Sequence, residues 1–403
     1  MQNTSCYFDW AATAPLDEDI IKEALELSIN NFGNPSSVHD LGIKAKKILS
    51  EARTTASKAL NVKPENLYFT SGGTEADYIP LLSLLKRPVA GRILISAIEH
   101  PAIREQAEML KHCGWKVDYV KPNSNGIISS EAVKEALTTD TILACIMAVN
   151  NETGAVQPII EIADMLCNFA KETGKRRTKL HVDCVQAAGK IPLCINHPGI
   201  DSAAFSAHKI GGPRGSGLLY LRQPIDSFIR GGGQEQGIRS GTENLFGAFA
   251  FAKCLERYFL AKDQAGKIIK TESPQYVRFS EQQQYTFDFI QKISSIKGSK
   301  IIPESRKNLS AKDENFSPWI VQVAFSKIPG EVMVRSLSEK GFYISTGSAC
   351  SAKKMNRPIL EAMGVSKEDA TNAVRFSFGP KTTKEDMEKL LAEITTITSL
   401  FNP

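Results

Sequence analysis

The chain has 403 residues, of which 42% are hydrophobic and 23% charged, as expected of a globular protein with a sizeable core. Its 49 Lys and Arg residues against 44 Asp and Glu residues leave a net charge of +5, too small to indicate nucleic acid or a membrane as a partner. The longest apolar run, Ile142 to Val149, is too short to span a bilayer. The first twenty residues contain no Lys or Arg and no apolar segment, so no signal peptide is expected.

The eight cysteines are scattered singly along the chain. They form no C-x-x-C pair, and no histidine stands at zinc-finger spacing from any of them. This pattern predicts reduced thiols in a cytoplasmic protein and no structural metal.

Apolar runs typical of buried strands alternate with helical patterns over the first two-thirds of the chain. One helical pattern begins at Ile159, keeps its apolar residues three or four positions apart, and stops at Gly174. The alternation predicts an α/β fold with a mostly parallel sheet, whose sites gather where the strands end. The predicted strands are Leu67–Thr70, Arg92–Ser96, Val117–Val120, Thr141–Val149, Lys179–Asp183, Ser202–Ser206 and Gly217–Arg222.

The pattern changes after about Thr242, where a helical stretch leads into a polar segment from Lys262 to Pro318. Two further apolar strands and two helices follow, which predicts a smaller α+β domain. We therefore expect a large domain over residues 16–250 and a small domain over 251–403. Residues 1–15 are expected to associate with the small domain.

Three strand ends carry polar groups that suggest chemistry. In "TSGGTEA" the free backbone N–H groups at a helix start, near Gly73 and Thr74, can hold a phosphate. Asp183 closes an apolar strand, where it either meets a positive partner or caps a helix. Ser206, His208 and Lys209 follow the next strand, and Lys209 is either a desolvated nucleophile or a solvated lysine.

Taken together, these groups describe a site for pyridoxal phosphate. The lysine would bind the cofactor covalently, and the acid would keep the ring nitrogen protonated. A Rossmann enzyme needs G-x-G-x-x-G and a P-loop needs G-K-[ST], and "SGGTEA" supplies neither.

Ten motifs in order make the chain similar to class V aminotransferase-fold enzymes, and most closely to the NifS/IscS-like cysteine desulfurases. The resemblance implies a homodimer of the pyridoxal-phosphate fold type I, with an active site that borrows residues from the neighbouring subunit. The motifs are "YFDWAATAP", "GNPSSVH", "TSGGTEA", "EHPA", "NNETGAVQPI", "HVDCVQAAGKIP", "SAHKIGGPRGSG", "GGGQEQGIRSGTEN", "GSACSA" and "VRFSFG".

The resemblance also implies a role for each matching residue. Lys209 binds the cofactor covalently and His100 stacks on the ring. Asp183 pairs with the ring nitrogen and Gln186 with the ring hydroxyl. The phosphate is held by Gly73, Thr74, Ser206 and His208, together with Thr242 of the other subunit. Asn151 and Arg375 grip the substrate carboxylate. From the residues alone, Arg375 could equally form a structural ion pair, Asn151 a turn, and His100 part of the core.

Cys350 stands in "STGSACSAKK", a glycine- and serine-rich run with too little apolar bulk to pack a core. The resemblance implies that its thiolate takes sulfur from L-cysteine as a persulfide, releases L-alanine, and passes the sulfur to an acceptor protein for iron–sulfur cluster assembly or tRNA thiolation. Three departures from the family pattern are Tyr78, Gln236 and Met355–Pro358. Two alternatives stay open: a related pyridoxal enzyme, such as a transaminase or selenocysteine lyase, and a non-catalytic scaffold.

Overall fold

A seven-stranded sheet forms the centre of the computed structural model, which describes residues 6–269, 271–347 and 357–401. The strand order is β1-β7-β6-β5-β4-β2-β3. Each pairing is parallel except those of β7, which runs antiparallel to both β1 and β6. The strands are β1 Leu67–Thr70, β2 Arg92–Ser96, β3 Lys116–Val120, β4 Thr141–Cys145, β5 Lys179–Asp183, β6 Ser202–Ser206 and β7 Gly217–Leu221.

Helices cover both faces of this sheet, because successive strand residues point to opposite sides. In β2, Leu94 joins the core beneath α2, α6 and α7, whereas Ile93 and Ile95 face α4 on the other side. The helices are α1 Glu18–Asn30, α2 Asp40–Leu60, α3 Gly73–Ser83, α4 Pro101–His112, α5 Ser130–Ala136, α6 Ile159–Thr173, α7 Leu245–Tyr258, α8 Pro274–Ser294, α9 Gly330–Glu339, α10 Pro358–Ala362, α11 Lys367–Asn372 and α12 Lys384–Phe401.

A three-stranded antiparallel sheet follows in the second part of the chain, in the order β10-β9-β8. It consists of β8 Ser299–Ile302, β9 Ile320–Phe325 and β10 Ala373–Ser377. Residues of α8, α9 and α12 pack on it in a separate hydrophobic cluster. The predicted α/β fold, with a mostly parallel sheet and a smaller α+β part, is confirmed.

The N-terminal segment joins this second cluster. Tyr7 bridges to Tyr343 and Asp9 bridges to Ser377, and the side chain of Phe8 is fully buried between them. The segment then crosses to the large sheet, where Ala14 N donates to His208 O at 2.8 Å. The division into domains at residues 15 and 250 stays a prediction, and α7 extends across the second of these positions.

One strand prediction is wrong in its length. The apolar run from Thr141 to Val149 is a strand only as far as Cys145. Cys145 pairs with Ile95 near the end of β2, so the chain beyond it loses its partner on that side. Ile146 N and Ala148 N still donate to β5, to the carbonyls of His181 and Asp183. The run therefore continues as an irregular extension that leads towards Asn151.

The helix predicted from Ile159 ends as expected, because Gly174 adopts the left-handed conformation with φ 64°. Within the described ranges no helix is long and apolar enough to cross a bilayer. In the same part of the chain all seven cysteines are free, and no cluster of His, Cys, Asp or Glu could hold a metal ion.

We predict that Phe8→Ala destabilises the protein by about 3–5 kcal/mol, because it leaves a cavity in a packed core. The ring of Phe8 lies 6.3 Å from Phe342 and 6.2 Å from Phe378. Leu400→Ala is the control, since Leu400 is 76% exposed and should change stability by less than about 0.5 kcal/mol. Urea unfolding measures both variants. Equal stability of the two variants would show that the N-terminal segment does not pack as described.

Candidate active site

A cavity of about 210 Å³ opens where β5 and β6 end. It lies at the carboxyl ends of parallel strands, as the sequence predicts. Of the predicted site residues it brings together Gly73, Thr74, His100, Asn151, Asp183, Gln186, Ser206, His208 and Lys209. Asp77, Met147 and Val185 also line it and were not predicted from the sequence.

One end of the cavity is formed by the start of α3. This helix has no side-chain cap, so the backbone N–H groups of its first turn are free for a ligand. A Cβ at Gly73 would lie 2.7 Å from Val185 Cγ2 and would crowd the space in front of the helix. His208 also lines the cavity, and its Nδ1 lies 3.2 Å from Thr13 Oγ1. Burial, followed by the charge of Lys209, lowers the pKa of His208 to about 4. This end suits an anion that accepts hydrogen bonds.

Lys209 projects into the cavity from the short 3-10 turn after β6. Its Nζ donates to Ala11 O at 2.6 Å and to Ala12 O at 2.8 Å. Burial, and then the positive charge of Arg375, lower the pKa of Lys209 to about 8. A substantial fraction of this amine is therefore neutral near physiological pH and can act as a nucleophile or base.

Asp183 also lines the cavity and is 5% exposed. Its Oδ1 accepts from Val185 N at 2.8 Å. Burial, and then the nearby Asp77, raise the pKa of Asp183 to about 8. Asp77 in turn lies 3.1 Å from His181 Nε2, and the other ring nitrogen of His181 lies 2.8 Å from Ser202 Oγ. A basic group of a ligand can take up the proton of Asp183 here and form an ion pair with the carboxylate.

His100 is the N-cap of α4, where its Nδ1 accepts from Ala102 N at 3.1 Å. Nδ1 is therefore unprotonated, and in the neutral ring the proton lies on Nε2. Burial, followed by the charge of Lys209, lowers the pKa of His100 to about 4, so the ring is neutral at pH 7.

Arg375 lies beside the cavity on β10 and is 3% exposed. Its Nη2 donates to Asp9 Oδ1 at 2.7 Å. Arg375 therefore forms the structural ion pair that the sequence allowed as an alternative to substrate binding. Its Nη1 donates to Asn151 O at 2.8 Å and to Gly347 O at 2.9 Å. Among the described residues Arg375 Nε and Asn151 Oδ1 are buried and have no hydrogen-bond partner. Two polar atoms beside the cavity are thus left for a ligand.

The segment that contains the predicted nucleophile is described only at its two ends. Cys350 itself, like the departures Met355 and Asn356, lies outside the described residues. The segment begins at Gly347, which is held by Arg375 as above. It ends at Arg357, whose Nη2 lies 2.9 Å from Oε2 of the buried Glu152. A Cβ on Gly347 would lie 2.9 Å from Arg357 Nη2, so the two ends meet beside Asn151.

Thr242 is the one described cofactor residue that the structure does not bring into the cavity. It is exposed, in the loop before α7. The sequence assigns it to the site of a second subunit, so its position in one chain leaves that assignment a prediction.

The residues present fit pyridoxal phosphate. The uncapped α3 suits the phosphate, Lys209 suits the aldehyde carbon, and Asp183 suits the ring nitrogen. The unpartnered Arg375 Nε can donate to a substrate carboxylate, whereas the unpartnered Asn151 Oδ1 can only accept. When bound, the cofactor supplies an electron sink for carbanion chemistry at an amino acid.

Comparisons with known proteins agree with this geometry. The aminotransferase class-V family matches residues 6–390. The chain is 34% identical to a cysteine desulfurase IscS of Clostridium botulinum over 400 residues, which cover 96% of this chain and 93% of the relative. It is 33% identical to the cysteine desulfurase IscS 1 of Archaeoglobus fulgidus over 393 residues, with 96% and 94% covered.

Solved structures resemble the fold over almost the whole chain. A NifS-like protein superposes with a TM-score of 0.83 at 32% identity and covers 98% of this chain and 99% of its own. SspA, solved in complex with cysteine, superposes with a TM-score of 0.75 at 28% identity, with 94% and 99% covered. The match over residues 6–390, together with the cavity formed by Lys209 and Asp183, shows that the chain belongs to the aminotransferase class-V family of pyridoxal-phosphate enzymes.

Proposed function

We propose that this protein is a cysteine desulfurase, which converts L-cysteine and a thiol of its own into L-alanine and a protein persulfide. One observation carries the proposal. The segment with Cys350 begins at the wall of the cavity that holds Lys209 and Asp183, because Arg375 Nη1 donates to both Gly347 O and Asn151 O. The relatives named cysteine desulfurase and the structural neighbour with bound cysteine support the same substrate.

The residues that line the cavity would hold the cofactor. Gly73, Thr74, Ser206 and His208 would bind its phosphate, and His100 would contact its ring. Asp183 carries a proton near pH 7 and would pair with the ring nitrogen. Lys209 would provide the covalent link to the cofactor, and its amine would move the proton at the substrate Cα. Its pKa of about 8 supports this second task, because an acid–base group works best near the ambient pH.

The substrate carboxylate binds at Arg375 and at the amide nitrogen of Asn151, since the amide oxygen can only accept. Arg375 Nε–H is a buried donor that has no partner among the described residues. The ion pair with Asp9 fixes the guanidinium plane, so the donor is oriented before the substrate arrives. Two hydrogen bonds from Nη1 to backbone carbonyls hold the same plane from the other side.

Cys350 is the sulfur acceptor. It stands three residues after Gly347, and three residues of chain span at most about 11 Å. Its thiolate attacks the sulfur of L-cysteine, a new S–S bond forms, and the Cβ–S bond breaks. The electron pair of that bond stays with the carbon fragment, which takes up protons and leaves as L-alanine. No external oxidant or reductant is required.

We predict that the purified protein releases L-alanine from L-cysteine and gains one persulfide sulfur on Cys350. Cys350→Ser should still bind the cofactor and L-cysteine but make less than about 1% of the alanine, because a serine hydroxyl is a negligible nucleophile near pH 7. Cys113→Ser, at an exposed cysteine, is the matched control and should retain full activity. Amino-acid analysis and mass spectrometry of the protein measure the two products.

A different product would contradict the proposal. A keto acid in place of alanine would indicate a transaminase, and activity with selenocysteine alone would indicate a selenocysteine lyase. Near-normal alanine release by Cys350→Ser without added reductant would show that another group accepts the sulfur.

The proposal includes a homodimer with two shared active sites. Thr242 is exposed and lies outside the cavity of its own chain, which supports a role in the site of a second subunit. The chain from α1 to α2 also exposes several large apolar side chains, a feature typical of an interface. These are Leu25, Ile29, Phe32, Val38, Leu41 and Ile43.

Subunit mixing tests this shared site. Lys209→Ala removes the covalent link, and Thr242→Glu places a negative charge against the partner's phosphate, so each variant alone should be inactive. In a mixed dimer, one site combines an intact Lys209 with an intact Thr242. After equal mixing and exchange, roughly a quarter of the sites should regain activity. A mixture as inactive as its parents, or a monomer with full cofactor occupancy, would contradict the shared site.

The persulfide then passes to an acceptor protein, of the kind that assembles iron–sulfur clusters or thiolates tRNA. We also propose a cytoplasmic location, where thiols stay reduced. The seven free cysteines of the described residues support this location.

A further inference from the structure

Gln186 is held from outside the active-site cavity by a buried lysine. Lys190 lies four residues further along the chain, and its Nζ donates to Gln186 Oε1 at 2.7 Å. On the other side, Gln186 Nε2 donates to Ala11 O at 2.8 Å. Lys190 is 7% exposed, and it lines a second cavity behind Lys209 rather than the one that Gln186 lines.

The two neighbours of Gln186 allow only one orientation of its amide. The carbonyl of Ala11 can only accept a hydrogen bond, so the amide nitrogen must face it. The amine of Lys190 supplies the matching donor for the amide oxygen. Burial, followed by the charges of Lys209 and Arg375, lowers the pKa of Lys190 well below its usual range. A neutral amine still has protons to donate, so the orientation holds in either charge state.

The amide nitrogen carries two protons and donates one of them in its hydrogen bond to Ala11 O. The second proton is available to a ligand in the cavity, which Gln186 lines. Without Lys190, the oxygen of the amide would lose its donor. A buried oxygen without a donor is unfavourable, so only the contact with Ala11 O would still favour this orientation, and the amide would turn over more readily. It would then present an acceptor to the ligand where it now presents a donor.

We propose that Lys190 is a positioning residue, which fixes the amide of Gln186 so that its N–H faces the ring oxygen of pyridoxal phosphate. This inference rests on the proposed binding mode, in which Gln186 contacts the ring hydroxyl. That oxygen accepts hydrogen bonds, and it would be repelled by an amide oxygen.

A purely structural role explains Lys190 less well. Burying an amine is costly, and an apolar side chain of the same length would fill this place without that cost. Among the described residues, the hydrogen bond to Gln186 is the only one that the amine makes. The backbone carbonyl of Lys190 accepts separately from Trp319 Nε1 at 2.6 Å, a contact that any residue at this position would keep.

A double-mutant cycle on the cofactor-free protein tests the proposal. The four proteins are wild type, Lys190→Met, Gln186→Ala and the double variant, and titration with pyridoxal phosphate gives the dissociation constant of each. We expect Lys190→Met and Gln186→Ala each to weaken binding about tenfold, as the loss of one buried hydrogen bond does. The double variant should bind within twofold of Gln186→Ala, because Lys190 acts only through Gln186.

Lys253→Met is the matched control, since Lys253 lies on α7, pairs with Glu256 and does not line the cavity. It should bind as the wild type does. A lysine that only supports packing would weaken binding by the same factor with and without Gln186, and this result would overturn the proposal. Unchanged affinity of Lys190→Met would also overturn it.

The readout separates this inference from the proposed function. If the wild type binds pyridoxal phosphate and shows the coupling but makes no alanine, the proposed reaction fails while the role of Lys190 stands. If it makes alanine and Lys190→Met shows no coupling with Gln186→Ala, only the role of Lys190 fails.

Discussion

The hydrogen bonds between Lys209 and the N-terminal segment are the interaction on which the site depends. The carbonyls of Ala11 and Ala12 hold the amine at the end of β6, at 2.6 and 2.8 Å. The segment is held in this place by Phe8, which packs in the smaller core, and by Ala14 N, which donates to His208 O. One stretch of about ten residues therefore couples the packing of both sheets to the position of the reactive amine.

Burial then determines the chemistry of the charged groups. Lys209 has a lowered pKa and Asp183 a raised one, so near pH 7 each has ready access to its neutral form. A ligand with a negatively charged phosphate and a basic ring nitrogen would supply the charged partners that Lys209 and Asp183 lack in the protein alone. Arg375, by contrast, keeps a partner in Asp9, so its charge is already compensated, and its unpartnered Nε–H can donate to a carboxylate. The cavity is thus prepared for a zwitterionic substrate and an anionic cofactor.

The sequence predicted the sheet well, because its strands have local signals, and similar signals indicated two residues that line the cavity. Apolar runs of four or five residues marked the strands, and a polar residue at the end of such a run marked Asp183 and Lys209. The resemblance added His100, Gln186 and Thr242, which no local pattern distinguishes. The strand from Thr141 was predicted too long, since the end of β2 limits it and its own residues do not.

Other contacts could not be predicted, because the residues that form them are distant in the chain. Asp9 and Arg375 are 366 positions apart, and Glu152 and Arg357 are 205 apart. A lone carboxylate within the apolar run "YFDWAA" was the available signal for Asp9. Lys190 had a similar signal, a charge between apolar residues in "AAGKIPL", but it could equally have been an exposed lysine. Its hydrogen bond to Gln186 could be identified only from the structure.

The pKa of Lys209 in the cofactor-free protein tests this account most directly. Competitive labelling with an amine-reactive reagent over a range of pH, followed by mass spectrometry of the Lys209 peptide, gives the midpoint. We expect a midpoint near pH 8, because burial and Arg375 disfavour the charged amine. A midpoint near 10.5, as for an ordinary exposed lysine, would contradict the account, because the amine would then be solvated and no more reactive than lysines on the surface.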